Sequence, residues 1–160
     1  MSNLILTVTA APVVDTLGNI SGDTLGGLLT FTGAIFASNG LAKLKAVRIT
    51  DTSKQSANVD LLLFSANPTA STFTTNAATA IPAADLPKIV TCINITTHAA
   101  FSATGLSYAR GLDEKIYSAT PVSGVGQMTF TLYGALVSRG TPTYATTSAL
   151  NVYLDIEQDV

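Results

Sequence analysis

Few side chains in this sequence could do chemistry. Its 160 residues hold one histidine, His98, one cysteine, Cys92, and ten carboxylates. A Ser–His–acid hydrolase would have to use His98 as its base. The nearest approach to a nucleophile elbow is Gly105-Leu106-Ser107-Tyr108-Ala109. It lacks the final glycine of G-x-S-x-G, and no strong helical segment follows to complete a strand–turn–helix setting. The segment therefore reads as a turn entering a strand, with His98 at a loop edge. A glycosidase needs two carboxylates facing one cleft. Asp113 and Glu114 are instead sequence neighbours followed by Lys115, which suits a solvated turn. Asp155, Glu157 and Asp159 alternate along one strand face and could offer oxygen ligands to Ca²⁺, although an exposed acidic terminus is the plainer reading. Cys92, being alone, excludes a disulfide framework and a thiolate metal site, and reads as a small buried strand residue. There is no Walker A sequence, no G-x-G-x-x-G and no EF-hand loop. Asn19-Ile20-Ser21 and Asn94-Ile95-Thr96 fit the glycosylation pattern but read as chance matches, because no secretory signal precedes them. No catalytic residue, cofactor or metal is expected, and the chain does not read as an enzyme.

Composition narrows the class further. Charged residues make up 11% of the chain, against about 25% in an average soluble domain. Thr, Ser and Asn fill the gap, with 24 Thr alone. Threonine suits strands because its β-branch fits a pleated surface. The eight Lys and Arg are scattered and the net charge is −2, so nucleic-acid binding has no basic patch to rest on. No apolar run approaches the roughly 20 residues of a membrane helix. A surface this poor in charge is sticky. It fits a subunit covered by its neighbours and synthesised in a reducing cytoplasm.

The scaffold must come from strands. The stretch 43–67 organises the rest. Lys45 to Asp51 alternates, with Val47 and Ile49 on one side, as a half-buried strand does. Val59 to Phe64 has an unbroken apolar run, Leu61 to Phe64, so both of its faces should be covered. The polar stretch 52–58 between them reads as a hairpin loop, with Arg48 and Asp60 pairing across the two arms. Leu4 to Val8 alternates as a first strand and Pro12 ends it. A turn region runs from Val13 to Gly27, and Leu28 to Phe36 is a second strand. Asn39-Gly40 marks a tight turn. The stretch 66–84 has no regular period, and a loop of that length is usually functional or ordered by a partner. Ala84 to Lys88 suggests one helical turn. Ile89 to Thr96, Phe101 to Arg110 and Ile116 to Tyr117 follow as strands, and Gly124 and Gly126 mark a turn. Met128 to Ser138 is the longest strand, and 139–148 is a second polar loop. Leu150 to Ile156 closes the chain with Leu150, Val152, Leu154 and Ile156 inward. The sum is one all-β domain spanning 1–160: an antiparallel β-sandwich, jelly-roll-like, of about eight strands, with a small barrel as runner-up. A chain of this length buries roughly 68% of its unfolded surface, enough for a core.

Three segments carry a resemblance: Ile49 to Ala78, Ala84 to Val90, and Ser138 to Asp159. They combine the central stretch, a proline-interrupted loop and the final strand. Together they resemble small tailed-bacteriophage virion proteins of the head decoration, or cement, type. The likeness runs from about Gly26 to the C-terminus. It implies a β-sandwich subunit on the outer surface of the capsid that oligomerises, often as trimers, and clamps neighbouring subunits of the major capsid protein. The motifs carry no catalytic residue. Candidate contact residues are Pro68, Phe73, Asn76 and Pro82 in the first long loop. Arg139, Pro142 and Tyr144 in the second loop, and Tyr153 on the last strand, complete the set. The alternative is a carbohydrate- or receptor-binding β-module of a phage tail, although the chain has no Trp to build a stacking platform.

Overall fold

Alternating apolar residues force this chain into layers, since a strand with one apolar face must find a second sheet to bury it. The computed structural model describes residues 4–36, 40–122 and 129–158. Asn39, Gly124, Gly126, Met128 and Asp159 lie outside them. The strands are β1 (Leu4–Ala10), β2 (Thr24–Ile35), β3 (Leu41–Asp51), β4 (Val59–Phe64) and β5 (Ile89–Ile95). They continue as β6 (Thr97–Ala100), β7 (Gly105–Tyr117), β8 (Pro121–Val122), β9 (Thr129–Ser138) and β10 (Leu150–Gln158). A single 3₁₀ turn, Leu86–Lys88, is the only helical element among the described residues, where the sequence suggested one.

Two antiparallel sheets result. The first runs β1-β10-β3-β7-β6, and the second β2-β9-β4-β5 with β8 beside β9. Consecutive strands fall in opposite sheets for most of the chain, the winding of a jelly roll. One cluster fills the space between them. Leu44, Val47 and Ile49 of β3 and Val152, Leu154 and Ile156 of β10 meet Leu61 and Leu63 of β4 and Phe130, Leu132 and Leu136 of β9. Val47 and Ile49 of β3, Leu61 and Leu63 of β4, Leu132 and Leu136 of β9 and the four inward residues of β10 are buried as expected, whereas Leu4 of β1 is exposed and Ile89 of β5 half-buried.

The central hairpin is corrected. β3 pairs with β10 and β7, whereas β4 pairs with β9 and β5, so the two strands lie in different sheets. The connection 52–58 bends out of the sheet plane. The Asp51 carboxylate accepts from the Ser53 and Gln55 N–H groups at 2.7 and 2.6 Å, and Lys54 and Ser56 take left-handed backbone angles, φ 56° and 47°. Arg48 and Asp60 accordingly do not meet. Arg48 reaches Asp155 at 3.0 Å and Asp60 receives Arg139 at 2.6 Å. The expectation that β4 is covered on both faces holds in part, since Leu62 on the outer face is only half-buried. Phe64 is fully buried on the outer side of its sheet, in edge-to-face contact with Phe73 of the long loop at 5.7 Å.

Three further differences follow from register. The two short strands expected at Phe101 to Arg110 and Ile116 to Tyr117 are one, β7, which starts only at Gly105 and carries a bulge opposite Leu44/Ala46 eased by Gly111 at φ +67°. Cys92 faces outward and is exposed, because it stands opposite Leu62 rather than Leu61. Asp113 and Glu114 lie within β7, where Asp113 meets Lys45 at 2.9 Å, and are no solvated turn. β2 begins before Leu28 because Gly26 accommodates a kink. A Cβ there would sit 2.2 Å from the Pro12 side chain.

Leu63 lies at the centre of the sandwich, so Leu63→Ala is expected to cost about 2–5 kcal/mol in a urea unfolding experiment. A loss under about 1 kcal/mol would mean that this site collapses freely and that β4 is peripheral.

Candidate interface at the loop end of the sandwich

Residues 11–23, 52–58, 101–104 and 139–149 gather at one end of the sandwich. Backbone hydrogen bonds tie them together: Val14 N–H to Thr147 O, Asn19 N–H to Pro142 O, Thr52 N–H to Ala149 O and Arg139 N–H to Asn58 O, all at 2.8–3.1 Å. Side chains add to this. Gln55 Oε1 accepts from the Thr143 N–H at 3.0 Å, and Ser53 Oγ from the Ala145 N–H at 2.8 Å. The Lys54 ammonium reaches Ser102 O at 3.4 Å. Satisfied backbone of this kind holds a loop without a regular element. From this base Val13 (69% exposed), Leu17 (64%), Ile20 (63%) and Phe101 (55%) project into solvent. Asp23, Asp51 and Asp60 are buried, which leaves Asp15, Lys54 and Arg139 as the charges not buried at this end.

The long loop 66–84 lies on the outer side of the second sheet. It borrows the start of β2 as a partner: Thr24 N–H donates to Ala77 O at 2.9 Å, Asn76 N–H to Thr24 O at 3.0 Å and Thr79 N–H to Gly22 O at 2.9 Å. Asp85 anchors its far end. Its carboxylate accepts from the Ala70 N–H at 2.9 Å and the Ser71 hydroxyl at 2.7 Å, and meets Lys88 at 2.7 Å. Burial pushes the Asp85 pKa up, but the bonds from Lys88, Ser71 and Ala70 outweigh it and hold the carboxyl below its usual value. This loop is thus ordered by the chain itself.

The expected contact residues separate into several environments. Pro82 is exposed, and Phe73 and Asn76 are half-buried. Pro68, Pro142 and Tyr144 are corrections: all three are buried, Tyr144 at 3% exposure, so they support their loops from below and offer no free contact surface. Burial and the nearby Asp51 carboxylate push the Tyr144 hydroxyl pKa well up. Tyr153 is half-buried on the outer face of the first sheet, with the Arg48 guanidinium 5.3 Å above its ring. Arg139 stands half-exposed at the loop end. Val13, Leu17, Ile20 and Phe101 escaped the sequence reading because turn regions carry no period that marks a side chain as outward.

The structure does bring together the residues a hydrolase would have needed. His98 sits in β6 directly across from Ser107 in β7. Its Nδ1 lies 2.8 Å from Ser107 Oγ and its Nε2 lies 2.9 Å from Asn58 Oδ1. An amide oxygen only accepts, so Nε2 carries the proton and Nδ1 accepts from the Ser107 hydroxyl. The order is the reverse of a Ser–His–Asp site, where the serine meets Nε2. The third group carries no charge, and Ser107 is only 6% exposed. The trio works as a clasp between β6 and β7 of the first sheet and the chain entering β4 of the second. Asn58 was not foreseen, since nothing local connects it to His98.

The acidic C-terminal face is committed elsewhere. Asp155 accepts from Thr7 Oγ1 at 2.7 Å and Arg48 at 3.0 Å, and Glu157 lies 3.4 Å from Lys45. Among the described residues no group of three His, Cys, Asp or Glu is placed to hold a metal ion. The fold and this end together define a β-sandwich of jelly-roll winding with a braced, loop-built face that carries few charges. Comparison with protein-family models and with curated proteins finds no match.

Burial holds the His98 pKa below its ordinary 6.5. As pH falls through about 6.5 the unfolded chain takes up a proton that the folded chain still refuses, so stability is full above that pH and declines below it. Urea unfolding from about pH 7.5 to about pH 5.5 should show this decline, and His98→Gln should flatten it. Asp85, Asp113 and Asp155, whose pKa values are held low, act only at more acidic pH. Equal slopes for the two proteins would remove His98 from the account.

Proposed function

We propose that this chain is a structural virion protein, a decoration or cement protein that binds the outside of a phage head and stabilises the shell without chemistry. The observation that carries the reading is the loop end: four connections braced against one another, low in charge, with Val13, Leu17, Ile20 and Phe101 exposed on a rigid base. Apolar and uncharged side chains can be buried against a partner with little desolvation cost. The loop 66–84 reaches this end through Thr75, whose hydroxyl donates to Val13 O at 3.4 Å. The sequence resemblance to head decoration proteins supports the same reading and supplies the partner, the major capsid protein.

The reading includes a homo-oligomer, with a trimer expected. β1 supports self-association. It is the outer strand of its sheet, its sequence LILTVTA has no charge and no proline, and it exposes Leu4 and Ile5. Edge strands that stay single usually carry such guards. An oligomer touching several capsid subunits gains from effective concentration, so modest contacts add up. Binding only the assembled shell then stabilises it by mass action.

Particles lacking the protein should still assemble, but should break at lower temperature or on osmotic shock. Stripped particles as robust as complete ones would give way to the surface-adhesion reading, a receptor- or carbohydrate-binding module. Light scattering of purified protein at micromolar concentration should give three times the 16.5 kDa chain mass. A monomer in solution with no oligomer on the capsid would remove the clamp.

A further inference from the structure

An open depression of about 270 Å³ lies within the loop end, lined by residues 55–58 on one side and 139–142 on the other. Several of the acceptors around it are occupied. Asn58 O accepts from the Arg139 N–H at 2.8 Å, and Gly140 O from the Ser138 hydroxyl at 3.1 Å. Pro142 O accepts from the backbone and side-chain amides of Asn19 at 3.0 and 3.3 Å. Gln55 Oε1 and Asn58 Oδ1 are engaged by Thr143 and His98. Two of the side chains keep donors that are not occupied. Arg139 uses only Nε, on Asp60 Oδ2 at 2.6 Å, which leaves both terminal amino groups without a partner among the described residues. Asn58 Nδ2 also has none.

These donors are held in place. Asp60 is buried and receives a second bond from Asn94 at 2.6 Å, so the carboxylate that grips Arg139 is itself fixed. His98 sets the orientation of the Asn58 amide. The wall carries left-handed Ser56, beside left-handed Lys54, a conformation that non-glycine residues keep only where their surroundings impose it.

We propose that this depression is a carboxylate site, and that its occupant is an aspartate or glutamate side chain of the protein surface on which the loop end docks. The last clause rests on the docking reading above. A planar guanidinium with two free amino groups matches a planar carboxylate, which accepts and cannot donate. The local charge argues against a phosphate dianion. Asp60 already balances Arg139, and Lys54 is the one other cation at this end, so a single negative charge is the better fit. An exposed pair of this kind is individually weak. It sets register and partner choice within an apolar contact rather than driving it.

The test uses the isolated full-length chain, labelled with ¹⁵N, and N-acetyl-aspartate methylamide as the probe. At constant ionic strength the Arg139 Nε–H and Asn58 Nδ2 signals should shift saturably, with an affinity on the order of 1 mM for so small a ligand. The asparagine analogue should leave both signals in place. Asn58→Asp keeps an oxygen for His98 but adds a negative charge, and should weaken the aspartyl probe at least about tenfold. Arg139→Lys, which retains the charge and loses the fork, should weaken it as well. No saturable shift, equal shifts from the asparagine analogue, or tighter binding of inorganic phosphate would each overturn the site. The chain is free in this titration, so a failure to dock on a shell leaves its result standing. Docking accompanied by a silent titration would discard the pocket and keep the docking.

Discussion

Val47 and Ile49 on β3, and Val152 and Leu154 on β10, are apolar on one face of a single sheet and can be buried only by a second sheet. Leu61 and Leu63 on β4 and Leu132 and Leu136 on β9 provide the opposing surface. Each such side chain contributes roughly 1.5–3 kcal/mol when fully buried. No ion pair at the surface approaches that, since exposed pairs add about 0–1 kcal/mol. The contact between the two inner faces therefore fixes which strands lie where, and the chain must cross between the sheets to satisfy it. Three of these crossings, 11–23, 52–58 and 139–149, build most of the loop end.

This requirement explains what sequence could and could not reveal. Alternation was enough to place β3, β9 and β10 and to pick out which of their described residues face inward, and it located β1, none of whose residues is buried. It could not say which strand pairs with which. β3 and β4 are adjacent in sequence and joined by polar residues, which is also how a hairpin looks. The deciding facts are long-range: β10, more than a hundred residues on, takes one side of β3, and β9 takes one side of β4. The ion pairs were misread for the same reason. Arg48 and Asp60 have the right charges and flanks, but each finds its partner on a strand or loop from the far end of the chain.

The site was less legible than the fold. Long loops were identified correctly as elements, yet their contact residues were chosen by residue type. Tyrosine and proline are common at interfaces, but Tyr144, Pro142 and Pro68 serve their own loops here, since a loop without regular hydrogen bonding needs an apolar anchor to hold its shape. The residues that do project, Val13, Leu17 and Ile20, sit in the N-terminal turn region, where composition resembles ordinary punctuation. The His98–Ser107–Asn58 arrangement needed the register of β6 on β7 and the crossing of 52–58, and neither is written locally.

The low charge of the chain and the rigidity of its loops are linked. A loop rich in Lys and Glu can stay solvated and mobile, because water satisfies it. The loops here carry Thr, Ser, Ala and Asn, and their backbone groups bond to one another or to β2. Asp51, Asp60 and Asp85 are each turned inward as an acceptor for N–H, hydroxyl or cationic donors. Placing the carboxylates beneath the surface does two things at once. It orders the loops without help from a partner, and under the docking reading proposed above that lowers the entropy cost of binding. It also leaves an outer face of methyl groups, small hydroxyls and a few unpaired donors, which a flat protein surface can cover without stripping water from many charges. Most of the polar groups of these loops are thereby consumed in building a stiff surface.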